Sequence, residues 1–357
     1  MNSSDVIFLL GAGASRDAGL KTSDEMTLRL EERLKGDWED YARLYNVVKA
    51  GILYGDALKG APRTTVNIEE LVNVLTELAR CEDHPIYPFI ASWNMVLKEE
   101  AGENFLRIKD FRKLIIKTLV EDWVKLEDVR QAEYLGNFKT FQSSLGTNLK
   151  IFSLNYDVCV ETGCERKSVF TGFVHENDRA GEVWNEQAMK SDDLITTPIR
   201  LYKLHGSVDW RKEGEKLVSY DSPKPCEDAG NYQLIFGTAN KMRSDGPYLF
   251  FLSAFRDSAF DAKLIVTVGY SFQDGHINSI LTHAFSKGDT KLLNVSWHAN
   301  PNDQDAVSKE KKKVASVLGI DENFVDVCLT GAKAFLEREL TKDALEARMI
   351  DSSDCPF

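Results

Sequence analysis

The pattern of apolar and polar positions divides the chain into three stretches. Near the start, Val6 to Leu10 is an unbroken apolar run that stops at Gly11. Such a run, bounded by glycine, predicts a short parallel strand buried on both faces. Gly11-Ala12-Gly13 reads as a tight turn, followed by Ser15 and a small, polar segment to Gly19. A helix starting here would aim its unpaired N–H groups at the turn, which suits a pyrophosphate. Ser23 to Leu34 predicts a helix capped by Ser23, with Met26, Leu30 and Leu34 on one face.

From about residue 36 to 147 the period is helical. Asn67 reads as a cap, with Glu70 at the position of a capping-box partner and Ile68, Leu71, Val72, Leu75 and Leu78 on one face. Phe105, Ile108, Phe111, Ile115, Leu119 and Trp123 form a second stripe, Phe89 to Leu97 a shorter helix, and Ala132 to Leu145 another. These stripes read as packing faces.

Strand signals return at Lys150. Ile151 to Leu154 leads into Asn155, Tyr156 and Asp157, and Ile199 to Leu204 ends in His205-Gly206. Arg211 to Asn231 reads as a small hairpin or lobe, and Tyr232 to Phe236 as a strand. Ser253 to Ala262 is predicted helical, Leu264 to Val268 a buried strand ending at Gly269-Tyr270-Ser271, and Leu292 to Val295 a strand running toward His298 and Asn300. Lys333 to Arg348 predicts one amphipathic helix. The alternation of strand, turn and helix predicts an α/β fold: a Rossmann-like doubly wound parallel sheet in residues 1–35 and 148–348, a large helical insertion in 36–147, and a tail in 349–357. Ligands of such sheets sit at the carboxyl ends of the strands. Gly11, Asn155, His205, Gly269 and Asn300 all fall at such ends.

Composition narrows the chemistry. Across 357 residues, 44 Lys and Arg stand against 56 Asp and Glu, a net charge of −12. This disfavours direct nucleic-acid binding, which needs clustered cations. The dense basic run, Lys309 to Lys313, reads as a solvated helix face. The six cysteines form no CxxC pair, so no zinc is expected. No segment reads as a signal peptide or a membrane span, so a cytoplasmic protein is expected.

The first turn fails the ordinary dinucleotide fingerprint, because its third glycine position is Arg16. Taken with the later turns, it resembles the sirtuin family. Gly11-Ala12-Gly13-Ala14-Ser15 with Gly19 is similar to that family's first nucleotide-binding motif. Ser153-Leu154-Asn155-Tyr156-Asp157 is similar to the second, Leu204-His205-Gly206 to its His-Gly motif, and Gly269-Tyr270-Ser271 to its third turn. The two CxxC pairs of the protein-deacylating members are absent, and Gly19 is followed by Leu20-Lys21-Thr22 rather than the usual Ile-Pro-x-Phe-Arg. Gly269-Tyr270-Ser271-Phe272-Gln273-Asp274 instead resembles the sirtuin-like NAD hydrolases of bacterial antiphage systems.

The resemblance implies NAD as substrate, held by Gly11, Ala12, Gly13, Ser15, Thr22, Gly269, Ser271 and Asn300. It also implies cleavage of the nicotinamide–ribose bond. For that chemistry Asn155 offers a donor and an acceptor for a ribose hydroxyl or the attacking water, and His205 offers a general base. Asp157 can orient either one or favour a cationic transition state. A deacylase or ADP-ribosyltransferase, and a module that only binds NAD or ADP-ribose, are the alternatives. The resemblance further implies a homo-oligomer and a separately encoded ATPase or nucleic-acid-sensing partner.

Overall fold

Val6–Leu10 forms β1, and all five of its side chains are buried. Each such side chain is stabilised by about 1.5–3 kcal/mol relative to exposure. In the computed structural model, which describes residues 2, 4–60, 62–80, 95–176, 180–191, 198–221, 232–235 and 247–349, this strand lies at the middle of a sheet. The chain continues with β2 (Leu149–Ser153), β3 (Val169–Phe170), β4 (Phe173–His175), β5 (Glu182–Trp184) and β6 (Ile199–Lys203). Next come β7 (Gly206–Glu213), β8 (Lys216–Ser219), β9 (Tyr232–Leu234), β10 (Leu264–Val268), β11 (Lys291–Val295) and β12 (Val325–Cys328).

Seven strands form the main sheet in the order β12-β11-β10-β1-β2-β6-β3, all parallel. Alternate residues of β1 enter different cores, because successive side chains point to opposite faces. Val6, Phe8 and Leu10 join Ile151, Leu201 and Val266 against the helices of the first half, including Leu44, Phe111 and Phe138. Ile7 and Leu9 join Phe152, Tyr202 and Ile265 against Phe251, Leu281 and Val314 of the helices that follow β9. The α/β, doubly wound parallel architecture expected from the sequence is the one observed. β2 lies on one side of β1 and β10 on the other, so the crevice of the fold opens between them.

Several local expectations change. The segment after Gly11 is a 3-10 helix, Ala12–Ala18, closed by Gly19, and the long helix starts only at Ser23. Thr22, not Ser23, caps that helix through a reciprocal box with Glu25. Asn67 does cap Ile68–Ala79, but its side chain accepts from the Glu69 N–H. Glu70 pairs with Arg63 instead of closing a box. The stripe from Phe105 to Trp123 is buried throughout, along helix Leu106–Thr118 and the turn Leu119–Trp123 that extends it. Ala132 to Leu145 is a 3-10 stretch, Val129–Gly136, followed by the helix Asn137–Leu145. Much of Phe89 to Leu97 lies outside the described residues, as do Phe236 and Asn231.

The lobe is larger than the expected hairpin. β4, β5, β8, β7 and β9 make a five-stranded antiparallel sheet, so Tyr232–Leu234 belongs to the lobe. Lys333 to Arg348 falls in two helices, Ala332–Arg338 and Lys342–Met349, with the backbone leaving the helix between Glu339 and Thr341. No helix among the described residues is long and apolar enough to cross a membrane.

Candidate active site

Five strand ends in a row carry the polar motifs. From β11 to β6 they hold Ser296–His298, Gly269–Ser271, Gly11–Ser15, Asn155–Asp157 and His205. At roughly 4.8 Å per strand interval, the row extends over about 19 Å. A cleft of about 770 Å³ lies over it. That is within the ~300–1,000 Å³ of typical small-molecule sites.

The floor is made by two turns locked together. Gly11 N–H donates to the Val268 carbonyl and Gly13 N–H to the Gly269 carbonyl, each at 3.0 Å. Gly269 has φ of +63°, and a Cβ there would lie 2.3 Å from both the Ala14 nitrogen and the Gly13 carbonyl carbon. Glycine is required at this contact because the turns of β1 and β10 touch backbone to backbone. The N–H groups of Gly11 and Gly13 are therefore used within the protein. Tyr134 fixes the same turn from below, donating its hydroxyl to the Ala14 carbonyl at 2.5 Å.

Asn155 ties β2 to this floor. Its Nδ2 donates to the Gly11 carbonyl at 2.9 Å and to Ser15 Oγ at 3.1 Å. Both amide protons are thus engaged, which leaves Oδ1 as the remaining acceptor of this cleft-lining side chain. Asp157 accepts the Cys159 N–H at 2.9 Å, so one of its oxygens holds the loop. Burial pushes the Cys159 thiol far above its ordinary range and the Cys164 thiol up to about 12, which leaves neither reactive.

His205 is 4% exposed. The turn that presents it needs Gly206, whose φ is +83° and whose Cβ would lie 2.0 Å from the Gln233 carbonyl. His205 Nε2 lies 3.2 Å from Asp274 Oδ2, and Nδ1 is buried with no hydrogen-bond partner among the described residues. Asp274 also caps helix Gly275–Phe285, its Oδ1 accepting from the His276 and Ile277 N–H groups. An ionised Asp274 favours the tautomer with the proton on Nε2, which leaves the Nδ1 lone pair free. Asp274 was visible in the sequence as the last residue of the Gly269–Asp274 phrase, but carried no role there.

The helical region supplies a wall that its apolar stripes did not announce. Asn67, Glu69, Glu70 and Asn73 line the cleft, and Asn67 Nδ2 donates to Gln273 Oε1 at 2.8 Å. Near the same wall burial holds the Tyr156 phenol far above its ordinary pKa, with the Glu69 and Asp274 carboxylates adding to the shift. Arg63 is held by Asp56 and Glu70, and Lys313 by Glu310. Lys21 also lines the cleft and makes no ion pair among the described residues.

Gly11, Ala12, Gly13, Ser15, Thr22, Asn155, Asp157, His205, Gly269 and Ser271 all line this one cleft. Asn300 is not among its lining residues; its side chain closes a turn by accepting the Asn302 N–H at 3.2 Å. On that side the lining residues include Ser296, Trp297 and His298. No group of three or more His, Cys, Asp or Glu among the described residues could hold a metal ion.

Residues 149–318 match the family model of the SIR2-like domain. That stretch carries Asn155, His205 and Gly269 on β2 to β11 and is similar in sequence to that domain class. Solved structures of Sir2 homologues also align over most of the chain. A Sir2 homologue–NAD complex is 12% identical over 96% of this chain and 90% of its own, with a TM-score of 0.44. A mutant Sir2 homologue bound to ADP-ribose is 11% identical over 97% and 94%, with a TM-score of 0.45. A triple mutant with 2′-O-acetyl ADP-ribose is 12% identical over 97% and 94%, with a TM-score of 0.43. No curated protein matches the chain.

Proposed function

We propose that the protein hydrolyses NAD, breaking the bond between nicotinamide and the ribose anomeric carbon to give nicotinamide and ADP-ribose. The observation that carries this reading is the His205–Asp274 pair, with its free Nδ1, beside Asn155 in one cleft. The carbon–nitrogen bond breaks with its electron pair leaving on nicotinamide, and positive charge develops on the ribose. Asp157 and Asp274 line the same cleft, where negative charge favours an oxocarbenium-like transition state. Asn155 Oδ1 accepts a hydrogen bond from the ribose or from the attacking water. Water adds to the anomeric carbon as His205 Nδ1 takes its proton, which then returns to solvent.

The reading places the adenosine toward Ser271 and Trp297 and the pyrophosphate near Lys21. Lys21 supplies the charge that the engaged N–H groups of Gly11 and Gly13 do not. Thr22 serves by capping the helix that aims this segment. The absence of CxxC pairs and of the Pro-x-Phe-Arg continuation favours water over an acyl-lysine acceptor.

We further propose that NAD loss serves antiphage defence, on the strength of the Gly269–Asp274 phrase. The acting form is a homo-oligomer, and a separately encoded ATPase or nucleic-acid sensor triggers it. Incubation with NAD, with and without a co-expressed genomic neighbour, tests both parts. Nicotinamide release that rises with the neighbour supports them; release only when an acylated peptide is added overturns hydrolysis.

A further inference from the structure

The loops that carry Asn155, Asp157 and His205 leave neighbouring strands, β2 and β6. The sheet's own ladder ends at the Leu204 N–H bond to the Ser153 carbonyl. Beyond that point one backbone bond, Val208 N–H to the Tyr156 carbonyl at 2.9 Å, joins the loops. Side chains supply the other joints, and Lys203 is at their centre. Lys203, the last residue of β6, is 1% exposed and is not among the residues lining the cleft. Its ammonium donates to the Asp157 backbone carbonyl, to Ser207 Oγ at 2.8 Å and to Glu161 Oε1 at 3.2 Å. The Ser207 hydroxyl donates onward to the Tyr156 carbonyl at 3.3 Å.

An ammonium has three donors, and all three are directed. Burying it is costly, and the rest of β6 shows that apolar residues such as Ile199 and Leu201 fill neighbouring positions. Two of its three partners belong to the loops bearing the candidate catalytic groups. The third, Glu161, is a buried carboxylate whose Oε2 has no partner among the described residues. Loss of water holds the Glu161 carboxyl above its ordinary range, against the pull of Lys203. Glu161 thus balances the charge, while the geometry of the loops depends on Lys203.

We propose that Lys203 is a positioning residue, whose ammonium clamps the Asp157 carbonyl to the His205-Gly206-Ser207 turn and so fixes the spacing of Asn155 and His205. The competing account makes Lys203 merely the counter-ion of Glu161. Removing one member of a buried pair is strongly destabilising, whereas replacing both with apolar residues is often neutral. The double variant Lys203→Met/Glu161→Leu therefore separates the two accounts even where Lys203→Met alone fails to fold.

The activity arm rests on the NAD-hydrolase reading. In it, the double variant melts within a few degrees of wild type, keeps KM for NAD within about threefold, and loses about 100-fold in kcat, the scale of a small misplacement at a reacting centre. Glu161→Gln leaves Lys203 its two loop partners and keeps kcat within about threefold. A double variant with wild-type kcat, or Glu161→Gln as impaired as the double variant, overturns the proposal. Amide exchange of residues 154–158 and 204–208 needs no substrate and reads the clamp even if wild type proves unable to cleave NAD. Exchange about tenfold faster in both segments of the double variant supports the clamp, and unchanged exchange overturns it.

Discussion

Replacing Asp274 with asparagine separates two tasks of one carboxylate. Its Oδ1 caps helix Gly275–Phe285 through the His276 and Ile277 N–H groups at 3.0 and 3.4 Å. Its Oδ2 lies 3.2 Å from His205 Nε2. Asparagine is an equally good cap, so the helix start is kept. The group facing Nε2 becomes an amide donor, and the imidazole is driven to carry its proton on Nδ1. The atom assigned to take a proton from water is then occupied. A wrong tautomer of a general-base histidine costs up to about 10⁴-fold, and general-base catalysis itself is worth about 10²–10⁴-fold. The expected loss in kcat is about 10³-fold, or roughly 4 kcal/mol of barrier. Asp274→Ala should lose the same activity and about 1 kcal/mol of stability with the cap. Nicotinamide release, followed chromatographically beside urea melts of each variant, reads both effects. Asp274→Asn with wild-type stability and kcat within about threefold of wild type would refute the His205–Asp274 mechanism.

Lys21→Ala should raise KM for NAD about tenfold with little change in kcat, since it removes a charge–phosphate contact; the KM of wild type should rise with salt more steeply than that of the variant. Gly269→Ala puts a Cβ against Gly13 and Ala14 at positive φ, and should lower stability by about 2–4 kcal/mol in urea unfolding. In the Thr22–Glu25 box, partial burial raises the Glu25 carboxyl, but the Thr22 N–H, the Thr22 hydroxyl and Arg16 outweigh it, leaving the pKa below its ordinary value. The folded pKa is the lower one, so the stabilisation is complete above the unfolded value of about 4.3 and is lost as pH falls through the folded value. The gap in urea midpoint between wild type and Glu25→Gln should narrow over that range.

The parts of the fold legible in the sequence were those where burial on two faces leaves unbroken apolar runs. β1 is such a run and β10 is one but for Thr267, and their abrupt glycine ends, with the polar ends of β2 and β6, located most of the site. β12, with Asp326 in its middle, and the three-residue β4 and β5 carry too little pattern to stand out, because an edge or lobe strand buries only part of its surface. The break in the expected helix Lys333 to Arg348 falls at Leu340-Thr341, where neither glycine nor proline signals it. Thr22 was expected as a ligand contact and is first a cap, since a neighbouring Ser23 offered the same side-chain chemistry one residue later. Asp274 could be read as a helix cap from its place before Gly275, but its pairing with His205 crosses 69 residues and depends on how β6 and β10 are ordered around β1. Asn300 shows the reverse failure. It follows a strand end, yet five residues beyond Val295 the chain has already turned on itself.

The central claim is that one cleft, holding Asn155 and His205, cuts NAD with water. The most direct measurement follows nicotinamide and ADP-ribose from NAD with the purified wild type and with Asn155→Ala and His205→Ala, without any acylated peptide or protein acceptor. The account predicts equal amounts of the two products from wild type and at least about a 100-fold loss in each variant. Undiminished product formation in both variants would contradict it.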